Sequence, residues 1–398
     1  MNSLVAALAR YDGGSMVTVS ARPAHAAALR HLGPNWYACV MGTAVVATAG
    51  AALPVRIPGL RTALAAVWAL SLVLLVALLA ARALHWTRHG DQARAHLLDP
   101  AVVPFYGCLS MALLAVGGGA LSVGRDWIGA GPALVLDAVL FCAGTAVGLA
   151  AAVAVPYLMA VRHRPGPEQA TPVWLLPLVA PMVSAAVGPH LVPHLPPGQP
   201  RQTLLLACFA LFGLSLLATL LMLPLVFARL VTGGPLPLPL TPTLFLVLGP
   251  LGQSTTAVGA FADAAAGVVP APYDQGFGLL AVLYGVPVTG FALLWLCFAA
   301  AHVVRARRRG MRFSMTWWSF TFPVGTCVTG AAALSRHTGL LVYDGLTVLL
   351  YAGLVAAWAT AALHTARGLV SGALPAAPAP APSVPRQATA RTRSGAGR

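Results

Sequence analysis

The chain has 398 residues, 58% hydrophobic and only 8% charged, with a formal net charge of +15. A soluble domain carries about a quarter charged residues, so too little charge is present to cover a water-facing exterior, and most of that exterior must face lipid. The charge does not mark a nucleic-acid binder, because every fixed cation is an arginine and these are spread over the short links between apolar runs and the two ends of the chain, not gathered on one soluble face.

Residues 1–34 are broken by Arg10, Asp12, Arg22 and Arg30, so no signal-peptide core forms and a cytoplasmic N-terminal segment is expected. Ten apolar stretches follow, at 35–53, 62–81, 105–123, 133–160, 173–192, 203–227, 244–262, 277–301, 315–334 and 340–363. Each is about the length that crosses a hydrocarbon core. They make up an expected transmembrane domain over 35–367. The remainder, 368–398, is rich in Ala, Pro, Ser and Arg without apolar periodicity and reads as a disordered cytoplasmic tail.

Arginines orient the spans. The N-terminus, the links after even-numbered spans and the C-terminus hold 19, against 5 in the links after odd-numbered spans. That bias puts both termini in the cytoplasm, which requires an even number of spans.

A repeat lies beneath the hydropathy. Pro34, Pro104, Pro172 and Pro242 are 70, 68 and 70 residues apart, and Trp36, Tyr106, Trp174, Phe245 and Trp317 keep nearly the same step. Proline suits a helix start and aromatics suit a headgroup boundary. Five helical hairpins around a common axis are therefore expected. Hydroxyls and amides gather in odd spans, at Thr43 and Thr48, at Gln253 to Thr256, and at Ser319, Thr321, Thr326 and Thr329; the second span is nearly all Ala, Leu and Val. Polar groups are costly in hydrocarbon, so the odd helices should be inner and the even ones outer. Pro177, Pro181, Pro250 and Pro323 fall inside odd spans and predict kinked inner helices, with freed backbone groups facing water or protein. A wall of uncharged donors favours an anion.

The segments 35–43 (NWYACVMGT), 249–254 (GPLGQS) and 317–326 (WWSFTFPVGT), with the fifth-span stretch beginning WLLP at Trp174, resemble the tellurite-resistance/dicarboxylate transporter family, which includes malate and sulfite transporters and the plant slow anion channel. The resemblance implies ten helices in five hairpins, a central pore lined by odd helices, a homotrimer, and a phenylalanine of the ninth helix that plugs the pore. The matching position is Phe322, with Phe320 the competitor. Candidate pore-lining residues are Gly42, Thr43, Pro181, Ser184, Gly252, Gln253, Ser254, Thr321 and Thr326. The expected function is passage of small anions across the cell membrane, with C4-dicarboxylates such as malate first and a proton-coupled sulfite or tellurite-related exporter as the alternative.

No cluster of acid, base and nucleophile suggests an enzyme, and no cofactor is implied. The six cysteines lie in apolar runs without a CxxC pair. The pairs His85/His89 and His190/His194 have helical spacing but no completing ligands, so no metal site is expected. Asp137 and Asp344 read as interfacial residues in water. The run Arg305, Arg307, Arg308, Arg309 and Arg312 follows from topology, with concentration of anions at an inner mouth as a secondary role.

Overall fold

The computed structural model describes residues 30–372 together with 374, and every regular element among them is helical. The expected N-terminal segment and C-terminal tail lie almost wholly outside the described residues. Among the described residues, the α-helices of twelve residues or more run in order as α1 (Tyr37–Ala51), α2 (Leu60–Arg88), α3 (Tyr106–Gly119), α4 (Ala130–Leu158), α5 (Leu176–Val187), α6 (Gln199–Gly233), α7 (Leu248–Ala265), α8 (Tyr273–Arg308), α9 (Phe322–Thr338) and α10 (Leu341–Val370), with the shorter helices Gly90–Leu98 and Arg125–Ile128 between them. Eight helical segments are long and apolar enough to cross a membrane. The segments of α1 and α9 do not reach that combination of length and hydropathy. Both are packed among other helices, and a helix shielded from lipid does not need a fully apolar surface.

Burial divides the set. The apolar windows around α3, α5 and α7 are 78%, 89% and 89% buried, whereas those of α2, α4, α6, α8 and α10 are only 22% to 28% buried. In α1, every residue except Thr48 and Ala51 is buried. Contacts follow a cycle: α1 packs on α3, α3 on α5, α5 on α7, α7 on α9, and α9 back on α1. Each even helix touches the odd helix before it and the odd helix after it, with α10 closing onto α1.

Small residues let the odd helices approach so closely. A Cβ on Gly107 of α3 would stand 2.5 Å from the Leu176 carbonyl oxygen, and one on Gly252 of α7 would stand 2.5 Å from the Cys327 amide nitrogen of α9. Backbone cannot yield as a flexible side chain can, so these two positions admit only glycine. In a membrane, such close packing replaces the hydrophobic drive between helices. Even helices are tied on by polar groups that donate inward. The Trp68 indole donates to the Val116 carbonyl at 3.0 Å, Trp295 to Leu244 at 2.9 Å, and the Ser215 hydroxyl to Leu178 at 2.5 Å.

The prolines correct one sequence expectation. Each odd helix is preceded by a 3₁₀ stretch: Pro34–Trp36, Val103–Phe105, Pro172–Leu175, Leu238–Val247 and Met315–Phe320. Pro177 and Pro323 then occupy the first turn of their α-helices, and Pro250 is the third residue of α7. First-turn amides have no intrahelical partner to lose, so these prolines mark a change of helix type instead of a mid-helix kink. Pro181 alone of the four lies inside its helix.

Candidate functional site

The cycle of odd helices encloses a cavity of about 390 Å³, and all five odd helices or the turns that continue them contribute to its wall. The wall begins at Val45 on α1, Ala115 on α3, Val183 on α5 and Gln253 on α7; it belongs to the C-terminal parts of α1, α3 and α5 and to the N-terminal halves of α7 and α9. Phe322, the first residue of α9, is in the wall at its deep end and is 4% exposed. Thr326 and Thr329 follow on the same helix, one and two turns on, about 10 Å of rise in all. The opposite end carries Ser122, Arg125, His190 and His194. Arg125 lies just past the π-helical turn Ala120–Gly124, and the two histidines on the 3₁₀ stretch Gly188–His194.

The chemistry of the wall is uneven. Among the described residues that line it, no side chain is a carboxylate and Gln253 supplies the sole carboxamide. The Thr326 hydroxyl donates to the Pro323 carbonyl at 2.7 Å and Thr329 to Thr326 at 3.0 Å, while the Thr256 and Thr329 oxygens are 2.7 Å apart. These hydroxyl protons are engaged by backbone, as is common for Thr inside a helix. The Gln253 amide, Arg125 and the histidines are the donors best able to turn toward a bound solute.

Of the candidate gate and pore-lining residues named from sequence, three meet here: Phe322, Gln253 and Thr326; Thr48, Thr256 and Thr329, from the same polar clusters, join them. Others take part in packing instead. Thr43 donates to the Cys39 carbonyl at 2.7 Å and accepts from the Trp358 indole of α10 at 3.1 Å, on a groove between α2 and α10. Ser184 accepts from Thr145 of α4 at 2.9 Å. Thr321 is fully buried, and its hydroxyl donates to Trp318 and lies against Gly42. Gly252 is pressed on α9, Ser254 donates to the Leu251 carbonyl at 3.0 Å, and Pro181 is buried within α5 without lining the cavity. Phe320 stacks edge-on against Phe245 at 4.8 Å and Trp317 at 5.8 Å, between two 3₁₀ stretches.

Sequence reasoning passed over the mouth. Arg125 was counted only as a link residue, although it is the sole arginine of its link and follows three consecutive glycines, a signal that could have drawn attention to it. The histidine pairs separate: His190 and His194 both reach the cavity, whereas His85 is fully buried and stacks on His96 at 5.5 Å. Asp137 requires a correction. It is not in interfacial water but 1% exposed, because a Gly117 without a side chain lets α4 lie directly on α3. Asp344 accepts a hydrogen bond from Ser335 at 2.5 Å.

With this geometry in hand, the relatives become informative. The sulfite efflux pump SSU1 of Arthroderma otae is 26% identical over 341 residues, covering 83% of this chain and 89% of that protein. The pump of the same name from Trichophyton rubrum is 26% identical, covering 80% and 85%. An uncharacterized transporter of Methanocaldococcus jannaschii is 23% identical over 86% of this chain and 95% of its own length. The model of the voltage-dependent anion channel family SLAC1 matches residues 31–366, nearly all of the described chain, and this protein belongs to that family of multi-pass anion transporters.

Proposed function

We propose that this protein passes small oxyanions such as sulfite across the cell membrane through the cavity between α1, α3, α5, α7 and α9. The observation that carries the reading is the composition of that wall. It joins five helices, lacks any carboxylate among its described residues, and presents one carboxamide with an arginine and two histidines at the open end. A pore must replace part of the hydration shell of its solute while binding it weakly enough to let it leave. The Gln253 amide meets that need for an anion along the wall, Arg125 and the histidines draw it in at the open end, and the absence of negative side chains among the described lining residues avoids repelling it. The sulfite efflux pumps among the relatives favour a small inorganic oxyanion over the C4-dicarboxylate that the sequence put first.

In this reading the ten helices are five membrane-crossing hairpins with the odd helices inside, both termini are cytoplasmic, and the assembly is a homotrimer. The Phe322 ring closes the deep end of the cavity and swings aside for a solute to pass. Its place in the wall, against the packed position of Phe320, supports Phe322 as the gate. The test is flux into proteoliposomes from sulfite, chloride, nitrate and malate gradients, with and without an imposed proton gradient. Faster passage of sulfite than of malate is expected. Faster malate flux restores the dicarboxylate assignment, and potassium flux without anion flux ends the proposal.

A further inference from the structure

Three consecutive glycines of α3 face three different neighbours. A Cβ on Gly117 would stand 2.7 Å from the Asp137 Oδ1 of α4, one on Gly119 would stand 2.6 Å from the Trp68 ring of α2, and Gly118 lines the cavity. At this level the wall between the cavity and Asp137 is one helix backbone thick. A π-helical turn, Ala120–Gly124, follows immediately. Such turns interrupt the regular hydrogen-bond ladder and recur at functional sites.

Asp137 is 1% exposed, and neither carboxyl oxygen has a hydrogen-bond partner among the described residues. The ionisable side chains on elements packed against α4 are engaged or turned elsewhere. Asp126 is held by Arg61, Arg125 and the two histidines are at the cavity mouth, Tyr106 is at the other end of α3, and Arg162 and His163 are at the far end of α4. An ionised carboxylate with no donor is strongly disfavoured at such a place. Ionisable groups inside a membrane are costly enough that one left without a structural partner calls for a function.

We propose that Asp137 is a proton-binding site that governs anion occupancy of the cavity. With its proton in place the group is neutral and anions enter. When the proton is lost to water, a negative charge stands one glycine backbone from the cavity and repels the solute. This inference rests on the anion-transport reading and adds to it a control by pH.

The test uses the full chain in proteoliposomes and a nitrate gradient, because nitrate itself does not titrate near neutrality. A His190→Gln, His194→Gln background keeps the mouth histidines from contributing; if that background carries no nitrate, the comparison is made in otherwise wild-type protein, where any histidine part of the pH profile persists in Asp137→Asn and only the remainder is assigned to Asp137. Nitrate flux in that background is expected to be about tenfold higher at the acid end than at the alkaline end of the pH range in which the protein stays assembled, the scale of one charge beside the path in a low-dielectric wall. Adding Asp137→Asn should hold flux near its acid-side level throughout. An unchanged pH profile in the Asn variant, or a flat profile before it is introduced, overturns the role of Asp137. Should the Asn variant fail to assemble, Asp137→Glu retains a titrating group in a new position. A profile displaced along the pH axis then supports the site, and an unmoved one overturns it. Wild-type protein that carries no anion at any pH removes the transport reading itself, and this inference with it.

Discussion

Helices α7 and α8 are neighbours in sequence and in space, yet they are built on opposite plans. α7 has 18 residues, carries Gln253, Ser254, Thr255 and Thr256, and lies in a segment that is 89% buried. α8 has 36 residues, is 22% buried, and exposes Leu279, Leu283 and Leu294 by 63% or more. In a soluble protein the leucines would be inside and the threonines outside. Here lipid solvates the leucines without cost, and polar groups are kept where protein or water can answer them. What holds α7 in place is therefore close backbone contact and directed hydrogen bonds more than removal of apolar surface from water.

The largest effect should come from breaking that contact. Gly107→Val puts a branched side chain against the Leu176 carbonyl, 2.5 Å from where even a Cβ would stand. Overpacking in a yielding core costs about 1–3 kcal/mol, and a clash with backbone exceeds that range. No monodisperse protein is expected on size-exclusion in detergent. A well-folded variant would show that α3 and α5 are not locked as described.

A smaller effect separates the two plans by function. Phe322→Ala on α9 should raise anion flux in proteoliposomes by about tenfold, the change expected when a barrier of about 1.4 kcal/mol is removed. Phe291, 39% exposed on α8, is the outer counterpart, and Phe291→Ala should leave flux unchanged. Equal gains from both would dissolve the distinction between inner and outer helices. A gain at Phe320→Ala with none at Phe322→Ala would move the gate two residues.

Much of this architecture was legible in the chain. Apolar runs mark lipid-facing helices directly, and the excess of hydroxyls in alternate runs separates the buried set. What could not be read is which hydroxyl faces the cavity. Thr43 and Thr48 are five residues apart on α1, hence about 140° apart around the helix axis at 3.6 residues per turn. Thr43 bonds to α10 and Thr48 lines the cavity. A helix wrapped by protein on nearly all sides has no lipid-facing stripe to set the phase, so the sequence offers no way to choose between them. The prolines misled for a related reason: their spacing announces where a helix begins, but a 3₁₀ stretch before it turns an apparent interior position into a first turn. Asp137 reads from sequence as interfacial because its buried niche is made by the missing side chain of Gly117, twenty residues earlier in the chain.

The smallest effect is the counterpart of the largest. Gly213 lies on α6, and a Cβ there would meet nothing within 4 Å. In such a place glycine brings only its conformational freedom, which disfavours a helix by about 1 kcal/mol relative to alanine. Gly213→Ala should therefore raise the Tm in detergent by a degree or two and leave flux untouched. Helices in lipid already have every backbone group bonded within themselves, so the gain should fall toward the low end of that range. A loss of stability would mean that the α6 surface at Gly213 is covered by another protomer, and the same substitution would then report a contact between protomers.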